Sequence, residues 1–209
     1  MTQGIDNHCL IIANPTHSNR NDSHQTAIIK PMSTICFEAK LFKIGSWTIL
    51  RLPGEASAKL PSRGIAMVKG TINDSPLQTA LEPDGRGSHW FQVDAGLRQA
   101  IGADAGDTVR LAIEPTRDWP EPEVPPDIAK ALAADPPARD KWTSVTPMAR
   151  WEWIRWIRAT SQSETRKRHI KVARSKLKAG ERRPCCFNSS LCTEPAVSSN
   201  GALLEPTPA

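Results

Sequence analysis

Three tryptophans within six residues, Trp151, Trp153 and Trp156, constrain the fold of this chain more than any other feature. Thr146 and Pro147 precede them, a capping hydroxyl followed by a proline suited to the first helical position, so a helix is predicted from residue 147. At about 100° per residue, Ala149, Trp153, Trp156 and Ile157 fall on one side. Trp151 and Ile154 widen that apolar surface to roughly 220°, twice an ordinary core stripe. Such a helix must be covered on two sides. The expectation is that Trp151, Trp153 and Trp156 pack between a neighbouring domain and the next helix, each burying a large apolar area.

The next helix is predicted over 163–178, capped by Ser163 and stopped by Gly180. Its apolar stripe, Ile170, Ala173 and Leu177, is narrow, and Arg166, Lys167, Arg168, Lys171, Arg174, Lys176 and Lys178 coat the rest. Residues 150–184 hold twelve Lys/Arg against three Asp/Glu, a surplus of nine positive charges in a chain whose net charge is +5. The remainder is therefore −4, an asymmetry that points to an anionic partner or to an acidic surface within the molecule.

The covering domain is legible upstream. Residues 34–44 alternate apolar and polar at Ile35, Phe37, Ala39 and Leu41, the period of a strand. Further strands are expected over 47–52, 65–72, 76–81, 89–93 and 107–114. Gly45–Ser46 and Asn73–Asp74 supply hairpin turns, and short helical stretches fall at 54–60 and 95–101. Six short strands with brief helical interruptions predict an α+β chain, a small β-barrel followed by a helical C-terminal module.

The partition that follows is a β-barrel domain over 33–115, a proline-rich connector with one short helix over 116–146, and a basic two-helix module over 147–187. An N-terminal extension over 1–32 and a tail over 188–209 are expected to be largely without order. Within the connector, 127–134 reads as a helix and 135–145 as a loop. Met32 just before the first strand suggests that the folded protein begins there, with 1–31 an appendage. The longest apolar run near the start, residues 9–13, is too short for a membrane span or a secretory segment. Five scattered cysteines suit reduced thiols, so a cytoplasmic protein is expected.

Four constellations bear on chemistry. The seven cations of the second helix, Arg166 through Lys178, are candidate contacts to an anion or nucleic acid, against a solvated face that balances acidic groups elsewhere. Lys59, Arg63 and His89 are candidate ligand-binding residues for a small anion, and His89 with Asp84 suggests acid–base work; a structural, hydrogen-bonded histidine is the alternative. Cys185, Cys186 and Cys192 with His169 lack the spacing of a zinc ribbon, so neither a metal nor a cofactor is expected, and a redox thiol beside Arg182 and Arg183 stays open. Gly85 and Gly87 form a turn.

Three segments, AKLPSRGIAMVKGTIN at 58–73, LEPDGRGSHWFQV at 81–93 and GDTVRLAIE at 106–114, resemble a bacterial domain of unknown function numbered 1905. That resemblance implies a double-split barrel similar to the AbrB/MazE transcription-regulator barrel, although those regulators build theirs by dimerisation. WPEPEVPPDIAKAL at 119–132 and the stretch 149–168 look like the YdeI/OmpD-associated, bacteriocin-protection module. The resemblance implies a role in stress or antimicrobial resistance and names no reaction. The expectation is a non-enzymatic binding or interaction protein with no membrane span and no identified partner. The alternatives are a nucleic-acid-binding regulator using the basic helix, and an anion sensor or enzyme at Lys59, Arg63 and His89.

Overall fold

The computed structural model describes residues 34–160, 162–184, 198–199 and 202–206. The N-terminal extension, Cys9, and Cys185, Cys186 and Cys192 lie outside the described residues. Six strands, β1 (Ile35–Ile44), β2 (Trp47–Arg51), β3 (Ala66–Ile72), β4 (Ser75–Pro83), β5 (His89–Gln92) and β6 (Thr108–Pro115), form a closed antiparallel barrel in the order β1-β2-β5-β4-β3-β6. Closure leaves no strand edge open, which is how so short a sheet pairs its backbone fully. Two strands turn the corners. Residues 35–40 of β1 pair with β6 and 41–44 with β2; β4 pairs with β3 along most of its length and with β5 only at Glu82 and Pro83. Two short helices, α1 (Gly54–Ala58) and α2 (Ala95–Ile101), sit between strands.

The alternation read in β1 points Ile35, Ala39 and Leu41 into the barrel, where they meet Leu50, Leu81, Phe91 and Leu111. The β3–β4 hairpin turns at Asn73 and Asp74, both at positive φ (44° and 65°), the primed turn whose twist matches the strands. Gly70, opposite Ile113 on β6, is required by a close approach: a Cβ there would lie 2.0 Å from the Ala112 carbonyl oxygen.

Four helices follow, α3 (Pro126–Ala133), α4 (Pro136–Ser144), α5 (Pro147–Arg158) and α6 (Ser163–Lys178). The stretch 135–145, read from sequence as a loop, is mostly helix α4. Its two leading prolines look like breakers but occupy the first turn, where no backbone N–H is needed. The α3 and α4 helices share one core with α5 and α6, built from Ile128, Leu132, Trp142, Trp153, Ile157 and Leu177. The helical part thus packs four helices together, two of them from the stretch read as connector.

Trp153 is 0 % exposed, and it and Trp156 pack within that helical core. Trp151 faces the barrel side: its indole N–H donates to the Pro120 carbonyl at 2.9 Å, and it lines a groove with Trp47 and Trp90 of the barrel. The junction itself is ionic. Glu82 of β4, its side chain 12 % exposed, accepts from Arg158 at 3.1 Å and sits 3.4 Å from the guanidinium of Arg155, which is 2 % exposed. Arginine stems bury well beside aromatics while their heads seek an anion, so α5 meets the barrel through Arg155 and Arg158 as well as through the Trp151 indole.

Two variants probe these constraints. Gly70→Ala forces backbone to shift at β3–β6 and should lower the unfolding free energy by about 2–4 kcal/mol in urea titration. Glu82→Ala removes the carboxylate that the buried Arg155 and the half-buried Arg158 share and should cost about 3–5 kcal/mol in the same measurement, mostly through the Arg155 charge left unpaired.

Candidate functional site

The loop between β4 and β5, Asp84 to Ser88, and the turn after α1 hold the polar residues that the sequence singled out. The Asp84 carboxylate is fully buried. One oxygen accepts from the amides of Arg86 and Ser88, both at 2.8 Å, and the other from the Arg51 guanidinium at 2.8 and 2.7 Å. The concavity that Gly85 and Gly87 create is therefore filled by the chain's own carboxylate. Ser88 donates to the Leu52 carbonyl at 2.7 Å.

His89 is 0 % exposed and has both ring nitrogens engaged. Nε2 donates to the Gly64 carbonyl at 2.8 Å, which assigns the proton there, and Nδ1 accepts from the Ser57 hydroxyl at 2.8 Å. Burial lowers its pKa below the usual histidine value, with the Gly64 bond pulling weakly the other way. Arg63 is exposed and donates to the Gly87 carbonyl at 3.2 Å; Lys59 is exposed at the end of α1. Lys59 and Arg63 are thus at the surface while His89 is buried and spent on staples between strand, helix and turn.

A hollow does exist where the barrel meets the helices. A cleft of about 560 Å³ has Ile65, Ala66 and Met67 as its floor, with Trp119, Pro147 and Met148 as apolar walls. That volume lies in the range of small-molecule sites, which favour domain junctions. Three hydroxyls ring it. Ser62 accepts from the Gly64 amide at 3.0 Å, Thr116 from Asp118 at 3.1 Å and Thr146 from Ala149 at 3.3 Å. With a lone pair of each oxygen used locally, each O–H remains a donor for whatever enters. The 116–120 strap is fixed from both sides: Thr116 donates to the Met67 carbonyl, Gln78 to that of Asp118, and Trp151 to that of Pro120. The cleft is preformed.

Residues 37–113 match the family model "Domain of unknown function (DUF1905)", and residues 121–180 match "Bacteriocin-protection, YdeI or OmpD-Associated". The two matches follow one another along the chain without overlap. No curated protein gives a significant match. The DUF1905 match lies within the barrel strands β1 to β6, and the YdeI/OmpD-associated match takes in α3 to α6. The cleft draws on both sides of that boundary, from segments near 62, 66, 118 and 147. No local motif announces it, because its parts are distant in sequence and individually ordinary.

In the helical part, several of the cations pair with acids of neighbouring helices. Arg166 grips Asp127 of α3 at 2.7 and 3.0 Å, and Arg174 and Lys178 meet Asp135 before α4 at 2.7 and 3.3 Å. The Arg166 bond holds Asp127 below the usual carboxylate pKa, and the Arg174 bond does the same for Asp135. Lys167 pairs with Glu164 on its own helix, Lys176 is half-buried, and Arg168 and Lys171 are exposed. His169 stacks on Trp156 at 4.4 Å between ring centroids. No helix among the described residues is long and apolar enough to cross a membrane.

The buried His89 sets a pH dependence. Its folded pKa lies below its unfolded one, so the unfolded chain binds the extra proton first, and stability falls as pH drops through about 6.5. Between pH 7.5 and 5.5 the melting temperature should decline in the wild type and stay flatter in His89→Gln, as scanning calorimetry would record.

Proposed function

We propose that this chain is a binding protein, and that the cleft between the DUF1905-type barrel and the helical part is where a small organic ligand sits. The observation that carries the reading is the cleft's composition, an apolar floor at Ile65 and Met67 facing three hydroxyl donors held in place by the backbone, with Arg117 and Asp118 at its rim. A ligand with an apolar body and acceptor oxygens, such as a carboxylic acid or a carbonyl compound, fits that lining. A non-enzymatic role is supported by the use made of the acid–base candidates: Asp84 and His89 both commit their polar atoms to the fold. The bacteriocin-protection wording of the second match supports a place in stress or antimicrobial resistance. The chain is read as two units, a barrel over 33–115 and the helical unit after it.

A second reading, a nucleic-acid-binding regulator, draws on the exposed Arg168 and Lys171 and on the resemblance of the barrel to the AbrB/MazE type. The inward pairing of Arg166, Arg174 and Lys178 weighs against it.

A thermal-shift screen of small apolar acids and carbonyl compounds tests the first reading. A true ligand at a hundred times its Kd stabilises by about 2.7 kcal/mol, a rise of a few degrees, and Met148→Trp, which narrows the cleft from its apolar wall, should reduce it strongly. A screen in which no compound separates wild type from Met148→Trp refutes the cleft. For the second reading, duplex-DNA affinity would have to fall steeply with salt and lose about one unit of log–log slope per neutralised contact in Arg168→Gln and Lys171→Gln; insensitivity to both substitutions removes it.

A further inference from the structure

The outer face of the barrel carries a second recognition surface, already occupied by the chain itself. Leu203 is 3 % exposed although it lies in a stretch expected to be largely without order. It packs on Ile44, Ile49 and Trp90, with Phe42 and Trp47 beside them. These residues point away from the barrel interior, which Leu41, Leu50 and Phe91 fill from the neighbouring positions of the same strands. The Leu203 amide donates to the Asp84 carbonyl at 2.8 Å, and Glu205 pairs with Arg86. Three independent contacts, an apolar socket, a backbone acceptor and a guanidinium, thus read three features of one extended segment. Asp84 and Arg86 are presented rigidly, because Arg51 and the loop amides lock the Asp84 carboxylate.

The face extends beyond what residues 202–206 use. A groove of about 460 Å³ adjoins it, bounded by Lys40, Arg51, Arg86, Phe42 and Pro53; Arg51 is neutralised by Asp84, so Lys40 and Arg86 are the cations the groove offers, and no acid among the described residues lines it. The segment 202–206 brings one acidic residue, Glu205. The charge of the groove therefore exceeds that of its occupant.

We propose that this face docks an extended segment of a partner protein in which a leucine is followed, two residues on, by an acid and then by further acids. Residues 202–206 hold the site in cis until such a segment displaces them. The leucine fills the socket between Ile49 and Trp90, its amide meets the Asp84 carbonyl, and the acids run along Arg86 towards Lys40. A tethered occupant competes at a high effective concentration, so the partner's apparent affinity is reduced by the fraction of molecules in which the site is closed.

Fluorescence polarisation with labelled peptides tests this on the full chain. One peptide copies residues 202–206, a second keeps its first three residues and ends in a run of glutamates, and a third has both leucines of the second replaced by serine. The second peptide should bind the wild type, and bind Leu203→Asp about tenfold more tightly once the cis occupant is loosened. It should lose about tenfold or more in Arg86→Glu, and the copy of 202–206 should bind Leu203→Asp better than wild type. Glu205→Lys, which weakens the cis contact and leaves the socket untouched, should act in the same direction as Leu203→Asp and serves if that variant folds poorly. Equal binding of the serine peptide would reduce the surface to unspecific charge and overturn the proposal. So would equal affinity for wild type and both loosened variants, or an absence of binding throughout.

Discussion

A largely buried carboxylate at a barrel corner anchors the helical part of this molecule to its strands. Glu82 stands where β4 leaves its partnership with β3 and joins β5, at one of the two corners that close the barrel, and it receives both Arg155 and Arg158 from α5. A pair so little exposed is strong only while both signs are present. Placing the helical part by this pair lays α5 along the barrel with its first turn over β3, and the cleft by Met67 and Met148 is the space left between them. The strap from Thr116 to Pro120, bonded to both sides, keeps that space open.

The polar residues of the most family-like segments turn out to serve the fold. Asp84, Ser88 and His89 commit their polar side-chain atoms to the Arg51 guanidinium, the Leu52 carbonyl, the Ser57 hydroxyl and the Gly64 carbonyl. Buried polar groups carry a penalty unless matched, so a motif that places three of them within six residues needs partners at defined positions elsewhere. That need explains the segments around Ser57 and Gly64 without any ligand. The cations of α6 follow similar logic. Asp127 and Asp135 sit at the starts of α3 and α4, where helix dipoles favour anions, and Arg166 and Arg174 cross to them from α6.

Much of the barrel could be read from residues alone. Alternation marked β1, short runs between turn formers marked the other five strands, and Asn73–Asp74 marked a hairpin turn, because these signals are local. The helical part was less legible where two signals conflicted. Pro136 and Pro137 break helices in general and begin them in particular, and sequence does not say which applies until the next helix is in place. The breadth of the α5 apolar surface was visible, but not the allocation of its tryptophans, since a helix buried on two sides gives no sign of which side takes the barrel. Trp153 and Trp156 went to the helical core, and Arg155 went to the barrel. The cleft and the Leu203 socket were invisible for a simpler reason: each is assembled from segments far apart in the chain.

The seat of Leu203 has a consequence for biosynthesis. Trp90, the last of the socket residues Ile44, Ile49 and Trp90 to be made, is translated 113 residues before the leucine that covers them, so at roughly 5–20 residues per second the nascent barrel waits on the order of 5–20 s with an oily flank showing. During that interval the flank is the kind of surface that chaperones and neighbouring nascent chains find first.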